Sequence, residues 1–111
     1  MSDRLHINRA QLDAFALKLG EADDPHSAAV EGLVQAILRR TLRTADAADL
    51  DGAATLVALM EAIARIAIAI PGGNPSRLPN AIGAQVACVI AARIGGQKPG
   101  PLDVPMRGRV Q

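Results

Sequence analysis

Apolar positions recur along most of this chain at the three- and four-residue steps of an α-helix, and no stretch alternates long enough to read as a strand. Leu12, Phe15, Ala16 and Leu19 form the first apolar stripe. Asn8 is placed to cap that helix, with Gln11 three residues later and Ile7 and Leu12 at the staple positions. Gly20 suits the left-handed residue that ends it.

Asp24-Pro25 predicts the second helix, because Asp accepts from free backbone N–H groups and Pro fits the first helical position. Its expected buried stripe is Val30, Leu33, Val34, Ile37 and Thr41 or Leu42. Glu31, Gln35, Arg39 and Arg43 fall toward the other side, and the helix is expected to fray near Thr44. A third helix is expected to start among Thr44, Asp46 and Asp49. Its run from Ala53 to Ile70 carries Glu61 and Arg65 as its only charges, four residues apart and able to pair on one face. Apolar nearly all round, it reads as a central helix packed on several sides.

Pro71 to Asn80 reads as a loop, and a fourth helix follows over 78–94. Ile82, Val86, Val89, Ile90 and Ile94 are expected to face the core. Gly83, Ala84, Ala87, Cys88, Ala91 and Ala92 form a surface of small side chains, and Gly95-Gly96 closes the helix. The Pro- and Gly-containing remainder cannot continue it and is expected to be an extended arm. The expected organisation is an all-α, four-helix domain over 1–96 with a C-terminal arm over 97–111. Short connections favour antiparallel neighbours, as in a helical bundle.

Composition narrows the functional classes. Half of the 111 residues are apolar, but Phe15 is the only aromatic, so the large anchors that dominate many binding sites are missing. Twelve basic residues against eleven acidic ones give a net charge of +1, which favours neither a strongly basic nucleic-acid binder nor an acidic disordered tail. Cys88 stands alone, excludes an internal disulfide, and is expected to be a small buried hydrophobe. Residues 1–6 lack the apolar run of a signal peptide, so a cytoplasmic location is expected. Glu61 and Arg65 fall in the middle of the most apolar run, where a bilayer would penalise each, so no membrane insertion is expected.

Motifs with chemistry are few. Asp49-Leu50-Asp51-Gly52 resembles part of a calcium loop, but taking Gly52 as the sixth position puts Ala47 first and Ala58 twelfth, without the required carboxylates. Helix capping explains it better. Ala28 and Gly32 have a helix-turn-helix spacing, yet Gly32 falls inside a helical pattern rather than at a turn. Gly72-Gly73-Asn74-Pro75-Ser76-Arg77 precedes a helix and is weighed as an anion cradle, against an ordinary turn of the same residue types. His6, His26 and Cys88 have no metal-site spacing and no set of nucleophile, base and orienter. Neither an enzyme nor a cofactor or metal site is therefore expected.

Two readings follow. The leading one is a non-enzymatic structural or interaction protein, acting through helix packing in an oligomer or larger assembly. Its expected docking surface is Gly83, Ala84, Ala87 and Ala91 with the arm residues Met106, Arg107, Arg109 and Val110. The other is a nucleic-acid-associated accessory protein that holds phosphates with Arg39, Arg40 and Arg43.

Overall fold

A computed structural model describes residues 4–15, 24–96 and 100–108. These residues form four helices, α1 (Arg9–Phe15), α2 (Pro25–Ala47), α3 (Gly52–Ile68) and α4 (Leu78–Ile94), and include no strand. The protein is all-α. Its contacts divide it into two compact units, Met1–Leu59 and Met60–Gln111, with the boundary inside α3.

In the first unit the capping chemistry forms as expected at two helix starts. Asn8 Oδ1 accepts from the Gln11 amide at 3.1 Å, and Asp24 Oδ1 accepts from the Ser27 amide at 2.6 Å. The expected end of the first helix at Gly20 lies outside the described residues. Helix α2 runs past Thr44 to Ala47 and ends in a left-handed turn: the Leu50 amide donates to Ala45 O at 2.8 Å and the Asp49 amide to Asp46 O at 3.2 Å. Asp49 takes the position that usually belongs to glycine, with φ of 57°.

The start of α3 corrects the sequence reading. Thr44 and Asp46 are still inside α2, and Asp49 ends that helix rather than beginning the next. The cap is Asp51, whose Oδ1 accepts from the Ala54 amide at 2.9 Å while its carbonyl accepts from the Thr55 hydroxyl at 2.7 Å. Asp51 was overlooked because three other competent caps precede it, and only the intervening turn decides which is used.

Residues 4–8 lie extended along this α2–α3 corner. The Gly52 amide donates to Leu5 O, and the Leu5 amide donates back to Asp51 Oδ2 at 3.3 Å. A Cβ on Gly52 would lie 2.9 Å from Leu5 O, so the close approach requires glycine. Arg4 pairs with Asp49 at 3.1 Å and Arg9 with Asp46, both on the surface.

The larger correction concerns α2. Val30, Leu33, Val34 and Ile37, expected in the core, are 48, 62, 42 and 44% exposed, whereas Glu31 is buried. The side of α2 turned from solvent carries Glu31, Gln35, Thr41, Leu42 and Ala45. Gln35 Nε2 donates to Glu31 Oε2 at 3.2 Å, so the covered carboxylate keeps a hydrogen bond. Arg39 and Arg43 are exposed, as expected.

In the second unit α3 continues to Ile68. Glu61 and Arg65 pair at 2.9 Å on the surface, as their spacing predicts, and an exposed pair of this kind contributes only a few tenths of a kcal/mol. Every residue from Met60 to Ile66 is exposed, so the expectation of a helix packed on several sides fails over two turns. Helix α4 has the expected bounds, but Val86, Ile90 and Ile94, expected inward, are exposed. Leu78 at its start is buried. The arm folds back on this unit: Asn74 N–H donates to Pro105 O at 2.9 Å and Arg107 N–H to Gly72 O at 2.7 Å, flanking an isolated bridge between Gly73 and Met106. Gln85 Nε2 also donates to Gly100 O at 2.8 Å.

The glycines give opposite expectations. Gly52→Ala must push the 4–8 segment off the corner and should cost about 1–3 kcal/mol of stability. Gly32→Ala meets open space within a helix and should add up to about 1 kcal/mol. Urea denaturation of both variants checks the pair, and a neutral Gly52→Ala would contradict the corner geometry.

Candidate functional site

Asp51 at the α2–α3 corner organises a concave feature of the first unit. A cleft of about 200 Å³ opens between the 4–8 segment and the corner, lined by His6, Ile7, Leu42, Ala45, Asp51 and Thr55 among others. Asp51 is the most engaged residue in it. The Ala54 and Leu5 amides donate to its carboxylate, and the Arg4 guanidinium adds a favourable charge; together these outweigh partial desolvation and hold its pKa below the ordinary carboxylate value. The carboxylate is thus committed to holding backbone. No group of three His, Cys, Asp or Glu among the described residues has the arrangement of a metal site.

The other sequence motifs resolve as structure. Asp49 and Asp51 serve the turn and the α3 cap, as the capping reading of Asp49–Gly52 anticipates. Helix α2 passes through Gly32 unbroken, so no helix-turn-helix forms there. In the loop before α4, Asn74 Oδ1 accepts from the Ser76 amide and hydroxyl at 3.1 and 2.7 Å. The Gly73, Asn74, Arg77 and Leu78 amides donate to carbonyls of the chain, so the segment is a turn and not an anion cradle. Cys88 is exposed, which corrects its expected burial: it lies on the small-residue side of α4, where no described residue covers it.

The features that remain are surfaces. Gly83, Ala84, Ala87 and Ala91 are all exposed on α4, and a Cβ on Gly83 would meet no atom within 4 Å. Met106 is half-buried, its methyl end beside Gly72 of the same chain, while Arg107 is exposed. Arg109 and Val110 lie outside the described residues. The small face of α4 and the arm therefore belong to the same unit, and part of the arm is already engaged there.

On α2, Arg39, Arg40 and Arg43 are exposed and make no ion pair among the described residues. The same helix carries the apolar stripe Val30, Leu33, Val34 and Ile37, which sequence reasoning identified as a stripe but assigned to the core. Its spacing gave the face; nothing in the spacing says whether the covering surface comes from the same chain.

The chain matches no protein-family model, no curated protein and no solved structure.

The lowered pKa of Asp51 gives the corner a definite pH dependence. A carboxylate whose folded pKa lies below its unfolded value adds stability above the unfolded pKa, near 3.8, and that stability is lost as pH falls toward the folded pKa. Asp51→Asn should remove this component, narrowing the gap in thermal stability between pH 7 and pH 3. An unchanged gap, measured by circular dichroism melts across that range, would show that Asp51 does not hold the corner.

Proposed function

We propose that this protein is a non-enzymatic structural or interaction component that works by packing its helices within an oligomer or larger assembly. The observation that carries this reading is the distribution of apolar side chains. Among the described residues only Ala45, Ala67 and Leu78 are buried apolar side chains, none is fully buried, and eighteen large apolar residues are exposed. Exposed apolar area of this continuity marks interaction surfaces.

Several features support helices as the contacting elements. The exposed residues on α2, α3 and α4 recur at helical spacing, so each helix offers a stripe rather than scattered atoms. Gly83, Ala84, Ala87 and Ala91 allow a neighbouring helix to approach α4 closely, so dispersion contacts can compensate for missing aromatics. Met106 and Arg107 extend that surface from the arm, with Arg109 and Val110 following in the sequence. The prolines at 99, 101 and 105 restrict the arm and reduce the entropy it loses on docking. No helix among the described residues is long and apolar enough to cross a membrane. A cytoplasmic assembly is part of the proposal.

The second reading, a nucleic-acid accessory, is favoured by one observation: Arg39, Arg40 and Arg43 are exposed and have no ion-pair partner among the described residues. Phosphate contacts of this kind carry no sequence information and are strongly salt-dependent.

Sedimentation of the full chain, with and without duplex DNA, separates the two. The assembly reading expects a mass well above 11.5 kDa without DNA, and reduced assembly when residues 97–111 are deleted while helicity is kept. The nucleic-acid reading expects binding at low salt that Arg39→Ala, Arg40→Ala and Arg43→Ala together weaken alike for unrelated sequences. A monomer that ignores DNA would exclude both.

A further inference from the structure

We propose that residues 4–8 are a detachable strap, which leaves the α2–α3 corner and opens its cleft while the ends of α2 and α3 stay folded. The device belongs to the first unit alone and does not rest on the assembly reading.

The ties that hold the strap are polar and lie at the surface. Arg4 Nη1 donates to Asp49 Oδ1 at 3.1 Å, and its Nη2 donates to Asp49 O at 2.6 Å. The Leu5 amide donates to Asp51 Oδ2 at 3.3 Å, and the Gly52 amide donates to Leu5 O. Arg9, at the start of α1, pairs with Asp46. Apolar burial adds little to these ties. Every residue from Arg4 to Phe15 is exposed except the half-buried Leu12, and Leu5 within the strap is 61% exposed. Exposed ion pairs and single hydrogen bonds contribute little net stability, because water replaces them when they break. Segments with few buried contacts open locally at a fraction of the cost of global unfolding.

The corner stands without the strap. Asp51 caps α3 through Oδ1, which accepts from the Ala54 amide, and its carbonyl accepts from the Thr55 amide at 2.9 Å. The Leu50 amide closes the end of α2 on Ala45 O. None of these bonds uses residues 4–8. What the strap supplies is a wall of the cleft, which Leu5, His6 and Ile7 line together with Leu42, Ala45 and Thr55. Ala45 and Thr55 are only 6 and 3% exposed. Release of the strap opens one side of the cleft and brings this pair to solvent.

Native-state hydrogen exchange of the full chain, read by NMR, tests the device. Gly52 is the first residue of α3, where an amide has no acceptor within its helix, so its protection reports on Leu5 O. The Thr55 amide, bonded inside the corner, is the control. Corrected for intrinsic rates, Gly52 should exchange at least about tenfold faster than Thr55, with a much shallower urea dependence. Arg4→Ala and Asp49→Asn should each speed Gly52 exchange about fivefold and leave Thr55 unchanged. Asn tolerates the left-handed backbone at 49, so that variant keeps the turn. In a Cys88→Ser background, Thr55→Cys should react with a soluble thiol reagent through the same shallow opening, and Arg4→Ala should speed it by the same factor. Equal rates and urea slopes for Gly52 and Thr55 would overturn the proposal, since the strap would then leave only with the corner. Exchange of Gly52 at its unfolded-chain rate would overturn it too, because no closed strap would exist. Reaction of Thr55→Cys only at the rate of global unfolding would overturn the gating of the cleft.

Discussion

Removing apolar surface from water is the dominant favourable contribution to folding, and here the chain achieves it only in part. Full burial of a Val, Leu or Ile contributes about 1.5–3 kcal/mol, while a whole domain is stable by only about 5–15 kcal/mol. Eighteen large apolar residues at least a third exposed therefore hold back free energy comparable with the entire stability of an ordinary domain. The three buried apolar residues include two alanines, which contribute little. A second surface that covered even one stripe would shift the balance more than any polar contact described within the chain. That constraint is the physical ground of the proposed assembly.

Polar interactions have a different task. At the α2–α3 corner they set direction. Asp49 stops one helix, Asp51 starts the next, and the same Asp51 carboxylate holds the Leu5 amide. Leu5 answers through its carbonyl at Gly52, which must lack a Cβ for the segment to lie so close. Four backbone groups are thereby satisfied within a few residues. The acidic residues that resembled a fragment of a calcium loop are thus accounted for by backbone hydrogen bonds and surface ion pairs. In the second unit the arm and the loop after α3 exchange backbone hydrogen bonds at Gly72, Asn74, Pro105 and Arg107, which fix the arm's path together with the half-buried Met106.

Local features were legible in the sequence wherever one residue could satisfy a nearby backbone group. The Asn8 and Asp24 caps, the bounds of α4 and the Glu61–Arg65 pair all depend on neighbours within four positions. The choice of Asp51 over Asp49 as a cap was not legible, because it depends on a left-handed turn and on Leu5, forty-six positions away. Orientation was the main loss. Helical spacing identified Val30, Leu33, Val34 and Ile37 as one face, but the inference that this face is buried assumes that the chain supplies its own cover. Glu31 and Gln35 expose the weakness of that assumption: an i,i+4 hydrogen bond makes a polar face tolerable on the covered side. Cys88 was misplaced for the same reason, as its apolar neighbours on α4 are themselves uncovered.

The absence of aromatic residues from these stripes bears on how they are used. A Trp or Tyr anchor gives an interface a few residues that dominate binding, and it suits a pocket on a dissimilar partner. Stripes of Val, Leu, Ile and Ala instead distribute the contact evenly along a helix, and they fit best against another helix of matching pitch. Uniform stripes alone specify register poorly, because a shift by one turn still sets aliphatic groups against aliphatic groups.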